Sequence, residues 1–172
     1  MLLQIDDWVF DVDITHTMER SAAEAAEHCD CAYCRNFYAA VDRFYPNLRP
    51  FLAKFGIDIE APDEQLPYDL DGEMYYDSIY LVAGDILKEG KAPICNDRVV
   101  IRPVACNGPF QAVPASHNCP KPCFILDVST VVLPWILDEP MEETVSPANE
   151  PSFLNKMLNR LLSCVKKDKI QS

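Results

Sequence analysis

Three cysteines lie close together in the first quarter of the chain, at Cys29, Cys31 and Cys34. The C-x-x-C spacing of Cys31 and Cys34 places two thiols one helical turn apart, and Asp30 is a plausible N-cap for a helix that begins at Cys31. The helix dipole and the unpaired backbone N–H groups at a helix N-terminus lower the pKa of a thiol. Thiolates with this spacing can bind zinc, and Cys29 or His28 can supply a third ligand.

A closed zinc site needs a fourth ligand, and the sequence offers candidates far along the chain. Cys119 and Cys123 form a C-x₃-C pair in a proline-rich stretch, with His117 and Cys106 close in sequence. This spacing falls within the range that zinc loops tolerate. The predicted cofactor is therefore a structural zinc ion, and the predicted ligands are Cys29, Cys31, Cys34, Cys119 and Cys123.

Two other interpretations of the cysteines stay open. Free cysteine is among the most buried residue types, so the thiols can be small core residues. This interpretation is strongest for Cys29 and Cys164, which lie on apolar helical stripes. Alternatively, Cys31 and Cys34 exchange as a redox dithiol, although they follow a predicted helix and not the strand typical of thioredoxin-like motifs.

The other polar residues of interest have structural explanations in the sequence. Arg35 is expected to pair with a carboxylate, and Asn36 to be a buried amide that satisfies backbone groups. Asp11 and Asp13 fall on the same side of a predicted strand and read as a solvated face, although such a pair can also bind a hard cation. His16 is expected at the surface. The sequence contains no phosphate-binding glycine loop, G-x-S-x-G motif or H-E-x-x-H motif.

The elements that must position these residues follow from hydrophobic periodicity. Alternation of Trp8, Phe10 and Val12 predicts a strand, and apolar residues at helical spacing predict helices. The patterns predict strands over residues 4–15, 74–87, 98–104 and 124–137, and helices over 18–29, 31–44 and 48–55. The segment 74–87 is one strand or a bent pair, Pro103 ends the third strand, and Pro134 ends the fourth or places it at a sheet edge. Gly56 is the expected left-handed stop of the third helix, and an acidic connector covers 57–73. These elements predict the α+β class, with a small antiparallel sheet and the N-terminal helices packed on one face.

The end of the chain differs in character from its body. We expect a single α+β domain over residues 1–137, a Pro/Glu-rich linker over 138–152 and an amphipathic C-terminal helix over 153–170. The polar face of that helix is basic. Such a helix docks on its own domain, pairs with a copy of itself to form a homo-oligomer, or enters the groove of a partner.

Charge restricts the class of partner. The net charge is −12, and residues 1–149 carry −15 because they hold 25 carboxylates and ten basic side chains. Self-repulsion at this level repels nucleic acid and anionic lipid, so the expected partner is a protein with a basic surface. The sequence has no signal peptide and no apolar run long enough to span a membrane, which predicts a cytoplasmic protein with reduced thiols.

The run Cys29-Asp30-Cys31-Ala32-Tyr33-Cys34-Arg35-Asn36-Phe37 resembles a family of uncharacterised bacterial and prophage proteins. Its members carry a C-x-C-x-x-C-R-N-F/Y motif after an N-terminal strand. The resemblance extends over residues 5–137, through 51–58 and Tyr75-Tyr76, and implies a shared fold without an activity. Members often have Gly-Gly-Trp where this chain has Asp77-Ser78-Ile79.

These observations predict a non-enzymatic protein-interaction domain in which the cysteine motif fixes the helical layer and an acidic surface binds a partner. A sharper form is a phage-type inhibitor that mimics nucleic acid and occupies a basic groove. The alternative is a cysteine-dependent enzyme, either a dithiol oxidoreductase or a zinc-dependent hydrolase.

Overall fold

A computed structural model of the chain describes residues 1–26, 29–70, 73–106 and 122–141. These residues form three helices and a seven-stranded antiparallel sheet, which confirms the α+β class. The elements are β1 (Leu2–Ile5), β2 (Trp8–Val12), α1 (Ile14–Ala25), α2 (Ala32–Phe44), α3 (Leu48–Ala53), β3 (Glu64–Leu70), β4 (Glu73–Lys88), β5 (Ile94–Asn96), β6 (Val99–Ala105) and β7 (Cys123–Leu133). The sheet is larger than the small one expected. The predicted C-terminal helix and residues 142–152 of the linker lie outside the described residues. Within the described ranges, no helix has the length and apolar character needed to cross a bilayer.

The strand order is β1-β2-β4-β7-β6-β5, with every neighbouring pair antiparallel. β4 pairs with β7 along one edge, while its first half pairs with β3 and its last residues pair with β2. Gly84 lies where β2 meets β4, with φ +137, and a Cβ there would come within 2.1 Å of the Asp11 carbonyl oxygen. Only glycine therefore permits this close approach of the two backbones.

The core lies between the helices and one face of the sheet. Alternate residues of the strands point toward the helices, as Trp8, Phe10 and Val12 do on β2, and all three are buried. A register shift in the β4–β7 ladder gives β7 one extra residue near Thr130, which has φ 69. This bulge changes the alternation of β7, so that its later residues return to the helix side. The predicted packing of helices on one face agrees with this core.

The N-terminal prediction of one strand over residues 4–15 is wrong. Asp6 and Asp7 form a two-residue turn between β1 and β2, because Ile5 pairs with Trp8 and Asp6 has φ 52. Aspartate tolerates this left-handed conformation better than most residues do. The strand then ends at Val12, and Asp13 begins a helix instead of continuing the strand.

Helix α1 also begins earlier and buries a different face than the sequence predicts. Its buried residues are Thr17 and Ser21, whereas Met18 of the expected apolar stripe is 57% exposed. The Thr17 hydroxyl accepts a hydrogen bond from the Ala83 N–H at 3.1 Å, and the Ser21 hydroxyl accepts one from the Asp58 N–H at 2.9 Å. Hydrogen bonds to the sheet and to the 57–63 segment therefore orient α1, where apolar packing was expected.

The later strands differ from the sequence prediction at three points. The acidic connector contains a strand, β3, which pairs with the first half of β4. β6 continues past Pro103 to Ala105. β7 ends at Leu133 just before Pro134, and it lies between β4 and β6, so the alternative that the proline marks an edge strand is wrong.

Candidate metal centre

The cysteine cluster is built by the N-terminus of α2. Cys31 is the N-cap in extended backbone conformation, and the Arg35 N–H donates the first helical hydrogen bond to its carbonyl oxygen at 3.0 Å. Cys34 therefore lies in the first turn, with its side chain on the same side as Cys31. Because α1 ends at Ala25, Cys29 lies outside both helices. The structure thus overturns the interpretation of Cys29 as part of a buried helical stripe.

The sulfur atoms of Cys29, Cys31 and Cys34 all lie within 4.8 Å of one another. Cys34 is buried, whereas Cys29 and Cys31 are exposed, so the cluster opens from the helix toward solvent. Sulfur ligands 2.3 Å from one tetrahedral zinc ion are roughly 3.8 Å apart. The three thiols are therefore already placed at a separation that a single metal ion can bridge.

The environment favours thiolate at Cys31. Partial burial works to raise its pKa, but the N–H of Cys34, the thiols of Cys29 and Cys34 and the N–H of Tyr33 outweigh burial and lower the pKa of Cys31. The Cys31 sulfur thus occupies the position of an N-cap oxygen and is the natural first ligand for a cation.

Cys34 has the opposite tendency. Burial raises the pKa of its thiol, and the hydrogen bond and negative charge of Cys31 raise it further. Tyr38, one turn later on α2, has a hydroxyl that hydrogen-bonds to Cys34, and burial together with this neighbour raises the pKa of Tyr38. Of these two thiols, Cys31 therefore loses its proton more readily than Cys34 does.

The cysteines line a cleft of about 300 Å³ between α2, the end of α1 and the residues that lead into β3. Its other walls include Glu24, Tyr38 and Gln65. The Gln65 side-chain oxygen is buried without a hydrogen-bond partner, while its nitrogen donates to the Ser78 hydroxyl at 3.3 Å. The cleft therefore offers one buried acceptor besides the three sulfurs. The helical spacing of Cys34 and Tyr38 is visible in the sequence, whereas nothing in the sequence indicated Gln65.

Asp63 also lines the cleft, but its carboxylate has other partners. Arg20 donates to both of its oxygens, and the Leu81 N–H donates to one of them at 2.7 Å. The side chain of Asp63 is 2% exposed. This buried ion pair joins α1 to β4 and fixes one wall of the cleft.

Cys123, the one distant cysteine of the predicted ligand set that falls in the described residues, does not join this cluster. Cys123 begins β7 opposite Ala83, and its sulfur lies 3.2 Å from that of Cys106. The cluster lies near the other end of β7, because Tyr76, opposite Val131, donates a hydrogen bond to the carbonyl oxygen of Tyr33. Eight residues of strand separate the two positions along β7, or roughly 26 Å. Cys119, His28, His117 and Cys164 lie outside the described residues.

The residues after the cysteines confirm their structural interpretation. Arg35 forms ion pairs with Glu139 and, at 3.7 Å, with Asp30. Asn36 is fully buried, and both ends of its amide bind the backbone of the 134–136 segment. Together they hold the chain that leaves β7 against the start of α2.

The aspartate pair near the N-terminus does not form one strand face. Asp11 is in β2, whereas Asp13 caps α1 by accepting the His16 N–H at 3.1 Å. The other carboxylate oxygen of Asp13 lies 2.7 Å from the His16 ring nitrogen. These two exposed residues form a helix-capping pair, and His16 is at the surface as expected.

Cys95 of β5 is disulfide-bonded, so the expectation of reduced thiols fails at that residue.

In comparisons with known proteins, no family model, no curated protein and no solved structure matches this chain. The resemblance of residues 5–137 to the bacterial family described above stays a prediction.

Proposed function

We propose that this protein binds a thiophilic divalent metal ion, zinc, through the thiolates of Cys29, Cys31 and Cys34. The observation that carries the proposal is the convergence of the three sulfur atoms within 4.8 Å at the N-terminus of α2. Zinc prefers thiolate and nitrogen ligands and a tetrahedral arrangement. The lowered pKa of Cys31 supplies the first thiolate, and metal binding displaces the remaining protons.

The proposed metal site has a structural consequence. Cys29 belongs to the connection between α1 and α2, while Cys31 and Cys34 belong to α2 itself. A metal ion bound to all three would fix this connection against the helix and hold the cleft in one shape. Binding to the folded state alone stabilises that state, so the metal would raise the free energy of unfolding.

Metal content measured by elemental analysis, together with thiol counting, tests this proposal. Purified under reducing conditions, the wild-type chain should contain one zinc ion, and Cys31→Ser and Cys34→Ser should each lose most of it. Cys123→Ser is the matched control, since this cysteine lies at the far end of β7, and it should retain the metal. Zinc-free wild-type protein with a Cys31–Cys34 disulfide would favour the dithiol alternative instead.

A second candidate function is a protein-interaction surface for a basic partner. Asp11 and Asp85 are exposed and directly opposite each other across β2 and β4. Like charges in this position destabilise a sheet, and the chain before residue 150 already carries −15. A strong negative potential on this surface would speed association with a basic protein and would compete with nucleic acid for it.

Competition with double-stranded DNA for a basic DNA-binding domain tests the second candidate. The protein should displace DNA at low salt and lose affinity steeply as salt rises, because the contacts are electrostatic. Asp11→Asn with Asp85→Asn should weaken the competition, while Glu139→Gln, on the α2 side, should leave it unchanged. Binding that does not change with salt would contradict this candidate.

A further inference from the structure

Cys106 and Cys123 form a second pair of sulfur-bearing residues, distinct from the proposed metal centre. Their sulfur atoms are 3.2 Å apart, and the Cys123 thiol donates to the Cys106 sulfur. Both residues are half-buried thiols. Cys106 directly follows β6 and Cys123 begins β7, so the two face each other one step beyond the Ala105–Phe124 pair of the ladder.

The backbone around this pair is held on both sides. Phe124 pairs with Ala105 of β6 and with Val82 of β4. On the other side of Cys123, the Pro122 carbonyl oxygen accepts a hydrogen bond from the Gly84 N–H at 2.8 Å. The backbone of Cys123 is thus anchored between two fixed neighbours, which keeps its Cα opposite that of Cys106.

The separation suits a covalent bond between the sulfurs. Residues opposite each other in an antiparallel pair have Cα atoms about 4.5 to 5.5 Å apart, and disulfides span Cα separations of about 4.4 to 6.8 Å. The sulfurs need to approach by only about 1 Å to reach the bonded distance of about 2.05 Å. We propose that Cys106 and Cys123 are a reversible thiol–disulfide site that a small-molecule disulfide such as oxidised glutathione converts to a cross-link between β6 and β7.

The reaction balances as two exchange steps. The Cys106 thiolate attacks one sulfur of oxidised glutathione, the glutathione S–S bond breaks, and one glutathione leaves with a proton. The Cys123 thiolate then attacks the Cys106 sulfur of the mixed disulfide and displaces the second glutathione, which takes the second proton. Two protein thiols are oxidised, and one glutathione disulfide is reduced to two glutathione molecules.

The cross-link would close the segment between the two cysteines, residues 107–122, into a covalent loop. It would do so at the end of β7 remote from the Cys29, Cys31 and Cys34 cluster, so this proposal does not depend on metal binding there. The oxidised site would add a covalent link between Cys106 and Cys123 to the β6–β7 hydrogen bonds that already join them.

The test equilibrates the whole chain, as purified, with mixtures of reduced and oxidised glutathione and maps every cysteine by differential alkylation and mass spectrometry. We expect Cys106 and Cys123 to lose alkylation together, with a mass decrease of two hydrogen atoms and a cross-linked peptide that contains both. Dithiothreitol should restore both thiols. Cys123→Ala should keep Cys106 alkylatable or trap it as a glutathione adduct, and Cys34→Ser should not affect the pair.

Three results would overturn the proposal. The pair could stay alkylatable at potentials that oxidise other cysteines of the chain. Cys106 could cross-link to a cysteine other than Cys123, which mapping would show directly. Finally, a metal ion retained by Cys106 and Cys123, lost from Cys123→Ala but kept by Cys34→Ser, would make the pair a metal site instead. If Cys123→Ala fails to fold, Cys106→Ser provides the same comparison from the other strand.

Discussion

Asn36 offers the sharpest test of how the start of α2 is held, because its amide serves two elements at once. It is fully buried. Its Nδ2 donates to the Tyr76 hydroxyl at 3.1 Å and to the Pro134 carbonyl oxygen at 3.2 Å, and its Oδ1 accepts the Ile136 N–H at 2.8 Å. One side chain therefore ties α2 to β4 and to the chain that leaves β7.

Replacing Asn36 with Ala removes all three hydrogen bonds and leaves a partly buried carbonyl oxygen and a partly buried N–H without this partner. A typical hydrogen bond contributes about 1 kcal/mol, and an unsatisfied buried group costs about 1–3 kcal/mol. We therefore expect Asn36→Ala to lower the free energy of unfolding by about 3–5 kcal/mol. Tyr76→Phe is the matched control, because it removes one contact of the amide and the hydrogen bond to the buried Tyr33 carbonyl oxygen. On the same basis it should lower the free energy of unfolding by about 2–3 kcal/mol.

Urea denaturation, followed by circular dichroism and by tryptophan fluorescence, measures both variants. Trp135 packs edge-on against Tyr33 with ring centroids 5.8 Å apart, so its fluorescence reports whether the 134–136 segment stays on α2. An Asn36→Ala variant that loses less than Tyr76→Phe, at an unchanged denaturant slope, would refute the assignment of this amide as the main attachment. Equal zinc content in both variants would also show that the metal ligands do not depend on this attachment.

Three further predictions concern titration. Cys31 should react with iodoacetamide at lower pH than an ordinary thiol, because neighbouring N–H and S–H donors outweigh burial and lower its pKa, whereas Cys34 should react least, as pH profiles by mass spectrometry would show. The side-chain hydrogen bond to Asp13 raises the pKa of His16. The stability that this pair contributes is complete below the ordinary pKa of about 6.5 and is lost as pH rises through the raised pKa of His16. In Asp13→Asn, the NMR titration midpoint of His16 should move back toward its ordinary value. Burial raises the pKa of Tyr76 to about 12, so stability should fall as pH rises from the unfolded value of about 10 to about 12. Tyr76→Phe should show a smaller alkaline loss, because the raised pKa of Tyr38 still contributes to it.

Local periodicity predicted the elements whose buried face is apolar. The alternation on β2 and the helical spacing of Phe37 and Val41 on α2 both correspond to buried residues. Gly56 has φ 80, the left-handed conformation expected of it, although α3 ends at Ala53 and a turn over residues 54–56 follows. These features succeed because each depends on residues close in sequence, so the pattern itself contains the geometry.

Hydrophobic periodicity gives a wrong prediction where polar contacts decide the packing. The buried face of α1 carries Thr17 and Ser21, whose partners are backbone N–H groups at Ala83 and Asp58. Hydrophobic periodicity detects apolar faces and not these hydrogen bonds, and it therefore selected the stripe that contains Met18. The Asp6-Asp7 turn was missed for a related reason, since it lacks the glycine that marks most two-residue hairpins.

Strands that depend on a distant partner were also missed or shortened. β3 lies in an acidic stretch, and it is a strand because β4 provides a hydrogen-bonding edge for it. Pro103 lies inside β6, but β6 pairs with β5 only as far as Ile101. The N–H that proline lacks is therefore not needed for pairing with β5. No local pattern could have shown that these edges were available.

The candidate site was predicted in part for the same reasons. The spacing of Cys31 and Cys34 is local, and the structure brings these two together with Cys29. The pairing of Cys123 with Cys106 follows from the β6–β7 register, and the position of Gln65 follows from β3, so both depend on long-range contacts. Sequence spacing had instead grouped Cys123 with Cys119, four residues before it along the chain.

The opposite pKa shifts of Cys31 and Cys34 explain how one cluster can be stable without metal and still bind it. Three thiolates this close would repel one another strongly, whereas a single thiolate at Cys31 is stabilised by two thiol donors and by the N–H groups of α2. A divalent ion bound there, as proposed above, would take the place of the shared protons and balance the charge of the thiolates. The hydrogen bonds among the thiols therefore place three sulfurs around a single point even without metal. A metal ion bound at that point would compete with protons for the same sulfur atoms.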